Sequence, residues 1–558
     1  MMPLERAGRA RKILVLVTGI LTLASGLLIL RTLIAPSGHS RVARLLDYTP
    51  FEFRHLSRFL TLVLGFALAV TSVNLLRRKR RAFYAAVILA GFSVVLHLLR
   101  GRDLFHAVIA TALLGLLFLG RRAYTVGSGL PDWRSALLSV GVGLAFTLTY
   151  GIAGFWWLDE RHFGGNFNLG DSIRHTMAFL ALVPEPLVPP LRPLTSHALW
   201  FADSLHLMTL VLLAWVVLQT YRPVVYRFRT QPQERHLCEA IVRAHGRCAL
   251  DYFKYWPDKS YYVSASGRSV IAYRVSGSFA VALADPVGPE EEVAEIAAGF
   301  IRYCRQNDWG FAFHQALPDF LPVYQALGLK HLKIGDDAVI DLTAFSLDGK
   351  GHRGVRHTVS LLERNGDHSF LADPPLDASL LTAAKEVSDA WLGLPGRRER
   401  GFTLGRFDEA YLRATPFFGI RNAEGRLLAF ANLIPSFAPG ESTIDLMRHR
   451  PDAPNGTMDF LFVKLFLALR DRGFTRFNLG MAPMSGFDAN EEATAEERAV
   501  HLFFQQLNFL FSFRGLKAYK AKFASSWEPR YAVYAGALDL PRLAVALGRI
   551  SALSGDTT

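Results

Sequence analysis

Long apolar runs with charged flanks fill the first part of the chain, up to about Thr220. Six of them approach the roughly 20 residues that a helix needs to cross a bilayer. They cover residues 13–30, 56–76, 82–99, 104–119, 135–157 and 198–218. The helices of a soluble core seldom repeat at this length with charges only at their ends. We therefore predict a membrane α-helical bundle of six spans within residues 1–222.

Clusters of lysine and arginine lie on one side of this predicted bundle. They occupy residues 6–12, 77–81, 121–122 and 222–229. The opposing loops contain Arg41, Arg44, Arg100 and Arg102 but no comparable run. Because cytoplasmic loops retain Lys and Arg, the sequence predicts a multi-pass protein of the cell (inner) membrane. Both termini and the soluble part are expected in the cytoplasm.

The formal net charge of +14 belongs to the apolar part of the chain. Residues 231–558 contain 37 Lys and Arg against 38 Asp and Glu, which leaves 25 against 10 in the preceding residues. The basic excess therefore reflects membrane topology and anionic headgroups, and not a general nucleic-acid surface. The three cysteines, Cys238, Cys248 and Cys304, form no C-x-x-C pair, and their spacing with the histidines predicts no metal site.

Beyond a short polar tether at residues 223–234, the chain alternates between strand-like and helix-like patterns. Strands are predicted at 269–275, 279–284, 310–314, 337–342, 417–421, 427–434, 443–447 and 474–478. Helices are predicted at 290–306, 319–327, 355–365, 380–392, 458–472 and 495–510. The pattern indicates a soluble α/β (α+β) fold of tandem GNAT acyltransferase-like type. Its lobes are expected at 235–375 and 376–550, with a tail at 551–558.

Polar motifs concentrate between residues 445 and 531. In order they are Asp445-Leu-Met-Arg448, Pro454-Asn-Gly-Thr-Met-Asp459, Phe477-Asn-Leu-Gly-Met-Ala-Pro483, Gly515-Leu-Lys-Ala-Tyr-Lys-Ala-Lys-Phe523 and Trp527-Glu-Pro-Arg-Tyr531. Upstream lie Pro257-Asp-Lys259, Asp285-Pro-Val-Gly288 and Gly354-Val-Arg356. With these motifs the chain resembles the aminoacyl-phosphatidylglycerol synthases, the multiple peptide resistance factor family, over essentially all of its soluble part.

The resemblance implies a domain that moves an amino acid, typically lysine or alanine, from aminoacyl-tRNA to the glycerol headgroup of phosphatidylglycerol. The implied partners are aminoacyl-tRNA, phosphatidylglycerol and the bilayer. Such a product lowers the negative charge of the membrane and weakens its attraction for cationic peptides, at about 1 kcal/mol per basic residue, which confers antibiotic resistance. Fuller members of the family carry a larger membrane region with a flippase module, so flipping by this chain is left open.

Transfer between esters requires a lipid hydroxyl to lose its proton, an oxyanion to be stabilised and two anionic substrates to be held together. Asp445 and Arg448 lie three residues apart at the end of a predicted strand, where a carboxylate paired with a guanidinium would stay ionised. We predict that Asp445 orients the ammonium of the donor and that Arg448 binds phosphate. A structural ion pair is the alternative. Together with Lys520, they form the predicted catalytic set.

A second set of residues is predicted to bind substrate: Asp459, Asn478, Lys517, Lys522, Arg530, Arg353 and Arg356. The lysines alternate with aromatic residues, which suits phosphates of tRNA or lipid, but a charge run on a helix is usually a solvated face. The resemblance favours a role for Lys520 and Arg530. Asp459 could equally cap the helix that begins there.

Asp203 and His206 are the predicted polar pair of the membrane part. They lie three residues apart in the sixth apolar run, where ionisable residues often have a function; an interfacial position is the alternative. No cofactor is predicted. The chain has no Walker loop, dinucleotide fingerprint or zinc motif, and no convincing pyrophosphate loop of the type that CoA-dependent acyltransferases use.

Two other functions are left open by the sequence. The chain could be a lipid flippase or transporter whose soluble part is regulatory, or a transferase of the same fold that acts on another lipid acceptor. The transferred amino acid, the general base and homo-oligomerisation are not determined by the sequence.

Overall fold

The structure is a computed structural model that describes residues 13–28, 51–99, 104–127, 133–158, 160–165, 167–180, 194–219, 231–349, 352–483 and 513–552. The chain divides into two compact units. The first comprises residues 1–225 with 305–308, and the second comprises residues 226–304 with 309–558. The predicted helix at 495–510 and the basic clusters at 6–12 and 222–229 lie outside the described residues.

Helices make up the described part of the first unit. They are α1 (Ile13–Leu28), α2 (Phe51–Leu76), α3 (Arg80–Leu99), α4 (Leu104–Gly120), α5 (Trp133–Trp157), α6 (Glu160–Phe163), α7 (Leu169–Leu180) and α8 (Ser196–Gln219), with a 3-10 turn at Arg121–Ala123. Each of the six predicted apolar runs is helical in its described residues.

Small residues allow the helices of the first unit to approach one another. Ala82, Ala86 and Ala90 recur every fourth residue on one face of α3 and are buried against Leu113 and Leu117 of α4. By contrast, large apolar side chains point outward, with exposed fractions of 65–85% for Ile88, Phe118, Leu119, Trp157 and Trp200. Apolar surface on this scale is typical of an interaction site or a lipid contact.

Two segments of the described residues are long and apolar enough to cross a membrane, Val140–Trp157 and Ser196–Val216. Three other apolar segments, Ile13–Leu28, Leu64–Leu76 and Val108–Gly120, are shorter. The structure therefore supports two candidate spans, while the bundle of six stays a prediction.

A single mixed sheet of 11 strands forms the second unit, in the order β1-β2-β3-β4-β11-β5-β10-β9-β8-β7-β6. The strands are β1 (Ser260–Val263), β2 (Val270–Ser276), β3 (Phe279–Leu283), β4 (Gly310–Ala316), β5 (Lys330–Asp341), β6 (His368–Ala372), β7 (Phe417–Arg421), β8 (Leu427–Pro435), β9 (Glu441–His449), β10 (Arg476–Pro483) and β11 (Ser526–Tyr534).

The two halves of this sheet have the same arrangement. In each half, antiparallel strands lead to one parallel pair, β3 with β4 in the first half and β9 with β10 in the second. The C-terminal strand β11 lies between β4 and β5, and β5 in turn pairs with β10. Each half therefore borrows a strand from the other part of the sequence, and the sheet is continuous across the predicted lobe boundary near residue 375.

Helices cover the sheet of the second unit. They are α9 (Pro232–His245), α10 (Val293–Gln306), α11 (Leu321–Ala326), α12 (Arg353–Arg364), α13 (Ala378–Leu392), α14 (Glu409–Arg413), α15 (Thr457–Asp471), α16 (Phe513–Lys520) and α17 (Asp539–Ser551), with 3-10 turns at Ala249–Tyr255, Glu290–Glu292 and Pro318–Phe320. Their apolar faces follow helical spacing, as in α10, which buries Ile296, Phe300 and Cys304.

Candidate active site

A β-bulge in β9 sets the position of Asp445. Ala431 of β8 lies opposite Met447, but Leu433 lies opposite Ile444, so Asn432 faces two residues of β9. The buried Asn432 side chain fills the gap, because its Oδ1 accepts the N–H of Leu446 at 2.9 Å. Bulges commonly redirect a side chain at a functional site, and here the redirected residues are Asp445 and Leu446.

The sheet opens beside this bulge. Strands β9 and β10 pair only over residues 441–443 and 476–478, where the Thr443 hydroxyl donates to the carbonyl of Asn478 at 2.8 Å. Beyond that point, β10 bulges at residues 479–480 and continues along β5. We call the gap between residues 444–447 and 479–481 the β9–β10 opening.

Asp445 is a partly exposed carboxylate at this opening. Its Oδ1 accepts the N–H of Gly405 at 2.9 Å, and its Oδ2 accepts the hydroxyl of Tyr411 at 2.7 Å. Partial removal from water raises the pKa of Asp445 to about 6, although both hydrogen bonds oppose the rise. A Cβ on Gly405 would lie 2.0 Å from Oδ2, so only glycine fits beside the carboxylate.

Arg448 does not pair with Asp445 as the sequence led us to expect. Its Nη2 binds both carboxylate oxygens of Glu399 at 2.8 Å, and its Nη1 donates to the hydroxyl of Ser388. The guanidinium is buried and lies 5.2 Å from the ring centre of Trp391. The expected ion pair with Asp445 is therefore not formed, because the bulge lets Arg448 face Ser388 of α13 and Glu399, which follows that helix; the charge of Arg448 still lowers the pKa of Asp445.

Lys520 ends α16 and reaches the other edge of the opening. Its ammonium donates to the carbonyls of Leu479, Gly480 and Met481 at 2.8, 2.9 and 3.0 Å. The side chain is 6% exposed, and burial lowers the pKa of Lys520 to about 8. All three N–H groups of the ammonium therefore bind the backbone of the β10 bulge, so Lys520 fixes the shape of this edge.

Two residues of the predicted substrate-binding set lie inside the sheet. Arg530 of β11 donates from Nε and Nη2 to Oδ2 of Asp337 at 2.9 and 2.6 Å. Asn478 of β10 donates to the same oxygen at 3.2 Å, and its Oδ1 accepts the N–H of Gly480 at 2.7 Å. This buried cluster joins β5, β10 and β11, and it stabilises the β10 bulge through the hydrogen bond between Asn478 and Gly480.

The other predicted binding residues lie on helices. Lys522 is half-exposed and binds Asp459 at 3.1 Å, in the first turn of α15; the N-cap of that helix is Gly456. Arg356 donates to the carbonyls of Leu347 and Gly349, which ties down the chain before α12. Two of the predicted cations are exposed, Lys517 on α16 and Arg353 on α12.

The predicted pair in the membrane part lies on α8. Asp203 and His206 are both exposed, and the His206 ring lies 4.8 Å from the ring centre of Phe179. Within the described ranges, no group of His, Cys, Asp or Glu is arranged to hold a metal ion.

Sequence reasoning missed the residues that surround Asp445. They are Glu399, Gly405, Tyr411, Tyr252 and Trp256. Trp256 and Tyr411 stand edge to face with ring centres 4.9 Å apart, and Tyr252 lies 6.2 Å from Tyr411. The aromatic residues within 252–256, immediately before the Pro257-Asp-Lys259 motif, are a sequence signal for Tyr252 and Trp256 but not for the other three.

A second carboxylate occupies the corresponding position in the first half of the sheet. Asp285 and Asp445 each follow the last parallel pair by two residues, after Leu283 and Thr443 respectively. Asp285 also accepts one backbone N–H, from Leu317, and one tyrosine hydroxyl, from Tyr324, both at 2.8 Å. The similarity between the two halves therefore extends to the hydrogen bonds that one aspartate in each half accepts.

Comparisons with known proteins identify relatives of this chain. The family model described as "Phosphatidylglycerol lysyltransferase, C-terminal" matches residues 239–534. A curated relative named phosphatidylglycerol lysyltransferase, from Bacillus subtilis (strain 168), is 28% identical over 524 residues, which cover 92% of this chain and 57% of that protein. A relative of the same name from Staphylococcus aureus (strain MSSA476) is 32% identical over 53% of this chain and 35% of its own length. The chain thus spans about a third to about half of these relatives.

Two solved structures share the fold of the second unit. One is "The structure of L-PGS from Bacillus licheniformis", with a TM-score of 0.52 and 31% identity, over 58% of this chain and 99% of that one. The other is the C-terminal domain of a putative lysylphosphatidylglycerol synthetase from Agrobacterium fabrum, with a TM-score of 0.52 and 33% identity, over 58% and 98%.

Proposed function

The chain belongs to the phosphatidylglycerol lysyltransferase family, and we propose that it is a membrane-bound aminoacyltransferase that moves lysine or alanine from aminoacyl-tRNA to phosphatidylglycerol. The observation that carries the proposal is the β9–β10 opening with Asp445 at its edge. Among the described residues, no Lys or Arg nitrogen lies within 4.0 Å of this carboxylate. An anion that is partly withdrawn from water and lacks a counter-ion is suited to bind a cationic group of a substrate.

In this proposal Asp445 contacts the donor, and its neighbours hold it in place. The donor amino acid carries an ammonium next to the ester that is attacked, and the carboxylate orients that ester in the opening. Arg448 acts through Glu399, Trp391 and Phe407 as a positioning residue, because its guanidinium is already bonded. Lys520 likewise positions the β10 bulge.

The exposed cations supply attraction for the anionic parts of both substrates. Lys517 and Arg353 are free to approach phosphates, and Lys522 lies 4.8 Å from the ring of Tyr519 while bound to Asp459. Phosphate contacts of this kind give affinity that falls as salt concentration rises. Arg356, Arg530 and Asn478 support the site from within, through the contacts described above.

We also propose that the first unit is a multi-pass membrane domain that keeps the enzyme beside its lipid substrate. Its outward apolar side chains support this placement. Because aminoacyl-tRNA is cytosolic, the second unit would face the cytoplasm. Each transfer adds an amine to an anionic headgroup, which weakens the binding of cationic peptides to the membrane surface.

Mass spectrometry of lipids tests the proposal directly. The full chain is expressed in a host that makes phosphatidylglycerol but no aminoacylated lipid, and a new aminoacyl-phosphatidylglycerol is expected. Arg448→Ala should abolish the product, and Arg448→Lys, which has one nitrogen in place of the two that bind Glu399 and Ser388, should reduce it. Arg426→Ala is the matched control, since Arg426 forms an exposed pair with Asp452.

Other lipid profiles would contradict the proposal. An unchanged profile with altered lipid exposure on the outer leaflet would identify a flippase. A phosphate-free aminoacyl lipid would identify a transferase with a different acceptor.

A further inference from the structure

We propose that Tyr252, Trp256 and Tyr411 form an aromatic cage over Asp445 that binds the primary ammonium of the amino acid being transferred and so sets donor specificity. This inference rests on the proposed function. It adds residues from the first half of the chain to a site that is otherwise built by the second half. The three rings are called the aromatic cage below.

Several independent contacts show that the rings lie next to the Asp445 carboxylate. The Tyr411 hydroxyl donates to Oδ2 of Asp445 at 2.7 Å. A Cβ built on Gly405 would lie 2.0 Å from that oxygen and 2.9 Å from the indole of Trp256, so the indole and the carboxylate flank the same glycine. The charge of Asp445, after burial, contributes to raising the pKa of Tyr252 to about 12.

The cage is partly exposed. All three rings and Asp445 retain some contact with solvent, and the rings also pack against the apolar core. Trp256 meets Tyr411 edge to face at 80°, so the two rings form a corner and do not close over each other. Each oxygen of Asp445 accepts one hydrogen bond from the described residues and retains capacity for another.

Aromatic faces and a carboxylate together select an organic cation. The electron-rich faces of Trp and Tyr attract an ammonium, and the interaction strengthens when water is excluded. The nearest cation on the same strand, Arg448, is bound to Glu399 and packs on Trp391 and Phe407. The cage therefore holds one negative charge, at Asp445, that a substrate ammonium can neutralise.

Two ammonium groups could occupy this cage. One is the α-ammonium that every aminoacyl donor carries, and the other is the side-chain ammonium of lysine. Methyl esters of lysine, norleucine and alanine separate them, because norleucine matches the length of the lysine chain without its terminal charge. Binding of each ester to the purified full chain in a neutral detergent is measured by calorimetry.

The wild-type protein is expected to bind lysine methyl ester, and Trp256→Leu and Tyr252→Leu should each weaken that binding by about tenfold. Tyr252→Phe keeps the ring and should stay within about threefold of wild type. A lysine preference over norleucine of at least about tenfold would place the side-chain ammonium in the cage. Equal binding of all three esters would place the α-ammonium there, and because every donor carries that group it would overturn the claim that the cage sets donor specificity.

Gly405→Ala gives a second variant that keeps all three rings in the sequence but forces Asp445 or Trp256 to shift. The added methyl group would occupy the space between Asp445 and Trp256 and should abolish ester binding. Gly548→Ala is its control, since a Cβ there meets nothing within 4 Å on the exposed side of α17. Circular dichroism and the unfolding temperature show whether each variant is folded.

The cage is overturned if no ester binds to folded wild-type protein, or if Trp256→Leu and Gly405→Ala bind as wild type does. The proposed function fails in a different way, through absence of aminoacyl-phosphatidylglycerol from cells. A protein that makes the lipid but whose choice of amino acid is indifferent to Trp256 and Tyr252 would therefore refute the cage alone.

Discussion

The two halves of the sheet place an aspartate at the same point of the same strand arrangement but surround it differently. Asp285 is 4% exposed, and Lys254 fixes its surroundings by donating to its backbone carbonyl and pairing with Asp251 at 2.6 Å. Asp445 is partly exposed, lies among aromatic rings and has no described cation within 4.0 Å. Neither carboxylate has a described Lys or Arg nitrogen within 4.0 Å, but the first is buried beside the Lys254–Asp251 pair and the second lies beside aromatic rings.

This difference shows that the strand pattern alone does not make a site. In both halves the parallel pair ends, the later strand bulges, and a tyrosine and a backbone N–H hold the aspartate. The two aspartates differ in the residues that surround them. We infer that substitutions in the first half act on the free energy of unfolding, whereas the corresponding substitutions in the second half act on transfer.

Exchange of the two aspartates for asparagine should give the largest contrast. Asp445→Asn removes the charge proposed to bind the donor and should lower the transfer rate by about 100-fold or more. Asp285→Asn loses one buried acceptor and should lower the free energy of unfolding by about 1–3 kcal/mol. Its rate per folded molecule should be unchanged.

Rates are measured with purified full-length protein, aminoacyl-tRNA and phosphatidylglycerol vesicles, and the folded fraction is measured in parallel. If an Asp285→Asn protein folds but does not transfer, the buried carboxylate of Asp285 also takes part in the reaction. That result would remove the contrast between the halves.

Two buried lysines, one beside each half of the sheet, should give a smaller difference in transfer rate and stability. Lys520→Met releases the carbonyls of Leu479, Gly480 and Met481, and we expect the transfer rate to fall by about tenfold because the edge of the opening relaxes. Lys254→Met leaves Asp251 unpaired in the interior and should destabilise the fold by about 3–5 kcal/mol. Transfer by the molecules that remain folded should be near the wild-type rate.

Separate measurement of kcat and KM shows whether Lys520 acts by positioning the site. Loss of positioning should lower kcat more than it raises KM, and Lys520→Arg should restore part of kcat. If Lys520→Met retains the full rate, the bulge is stable without its ammonium and Lys520 has no part in the site.

The contrast between the halves also explains how far the sequence could predict the structure. Strand 417–421 was predicted with its observed bounds, and the helices near 355–365 and 458–472 were displaced by one or two residues, because their apolar faces follow a clear period. Strands β1, β6 and β11 were missed. β11 is interrupted by Pro529 and contains Glu528 and Arg530, so its pairing between β4 and β5 depends on partners that are distant in the sequence.

Residue types identified Asp445, but spacing could not identify its partners. The spacing of three residues between Asp445 and Arg448 gives no indication of Glu399, which lies 49 positions from Arg448. The bulge at Asn432 depends on the pairing of β8 with β9. Gly405 and the aromatic residues within 252–256 come from separate segments. Such a site becomes visible only when the chain is folded.

The pH dependence of stability gives the smallest effect and tests whether both carboxylates are withdrawn from water. Burial raises the pKa of Asp285 and of Asp445 from the ordinary range of an aspartate to about 6. The folded chain therefore binds more protons than the unfolded chain between about pH 4 and 6. Stability is highest below this window and falls as pH rises through it, by at most about 1.4 kcal/mol per pH unit for each group.

Thermal unfolding of the full chain in detergent between pH 4 and 7 measures this slope, and each asparagine variant should remove its own share. Carboxylates with lowered pKa values contribute the opposite slope, but they are common to all variants and cancel in the difference. Lysine methyl ester should then separate the halves. An ammonium bound at Asp445 lowers its pKa, so the ester should abolish the contribution of Asp445 and leave that of Asp285, which has no aromatic cage beside it. Equal suppression of both contributions would show that the ester also binds beside Asp285.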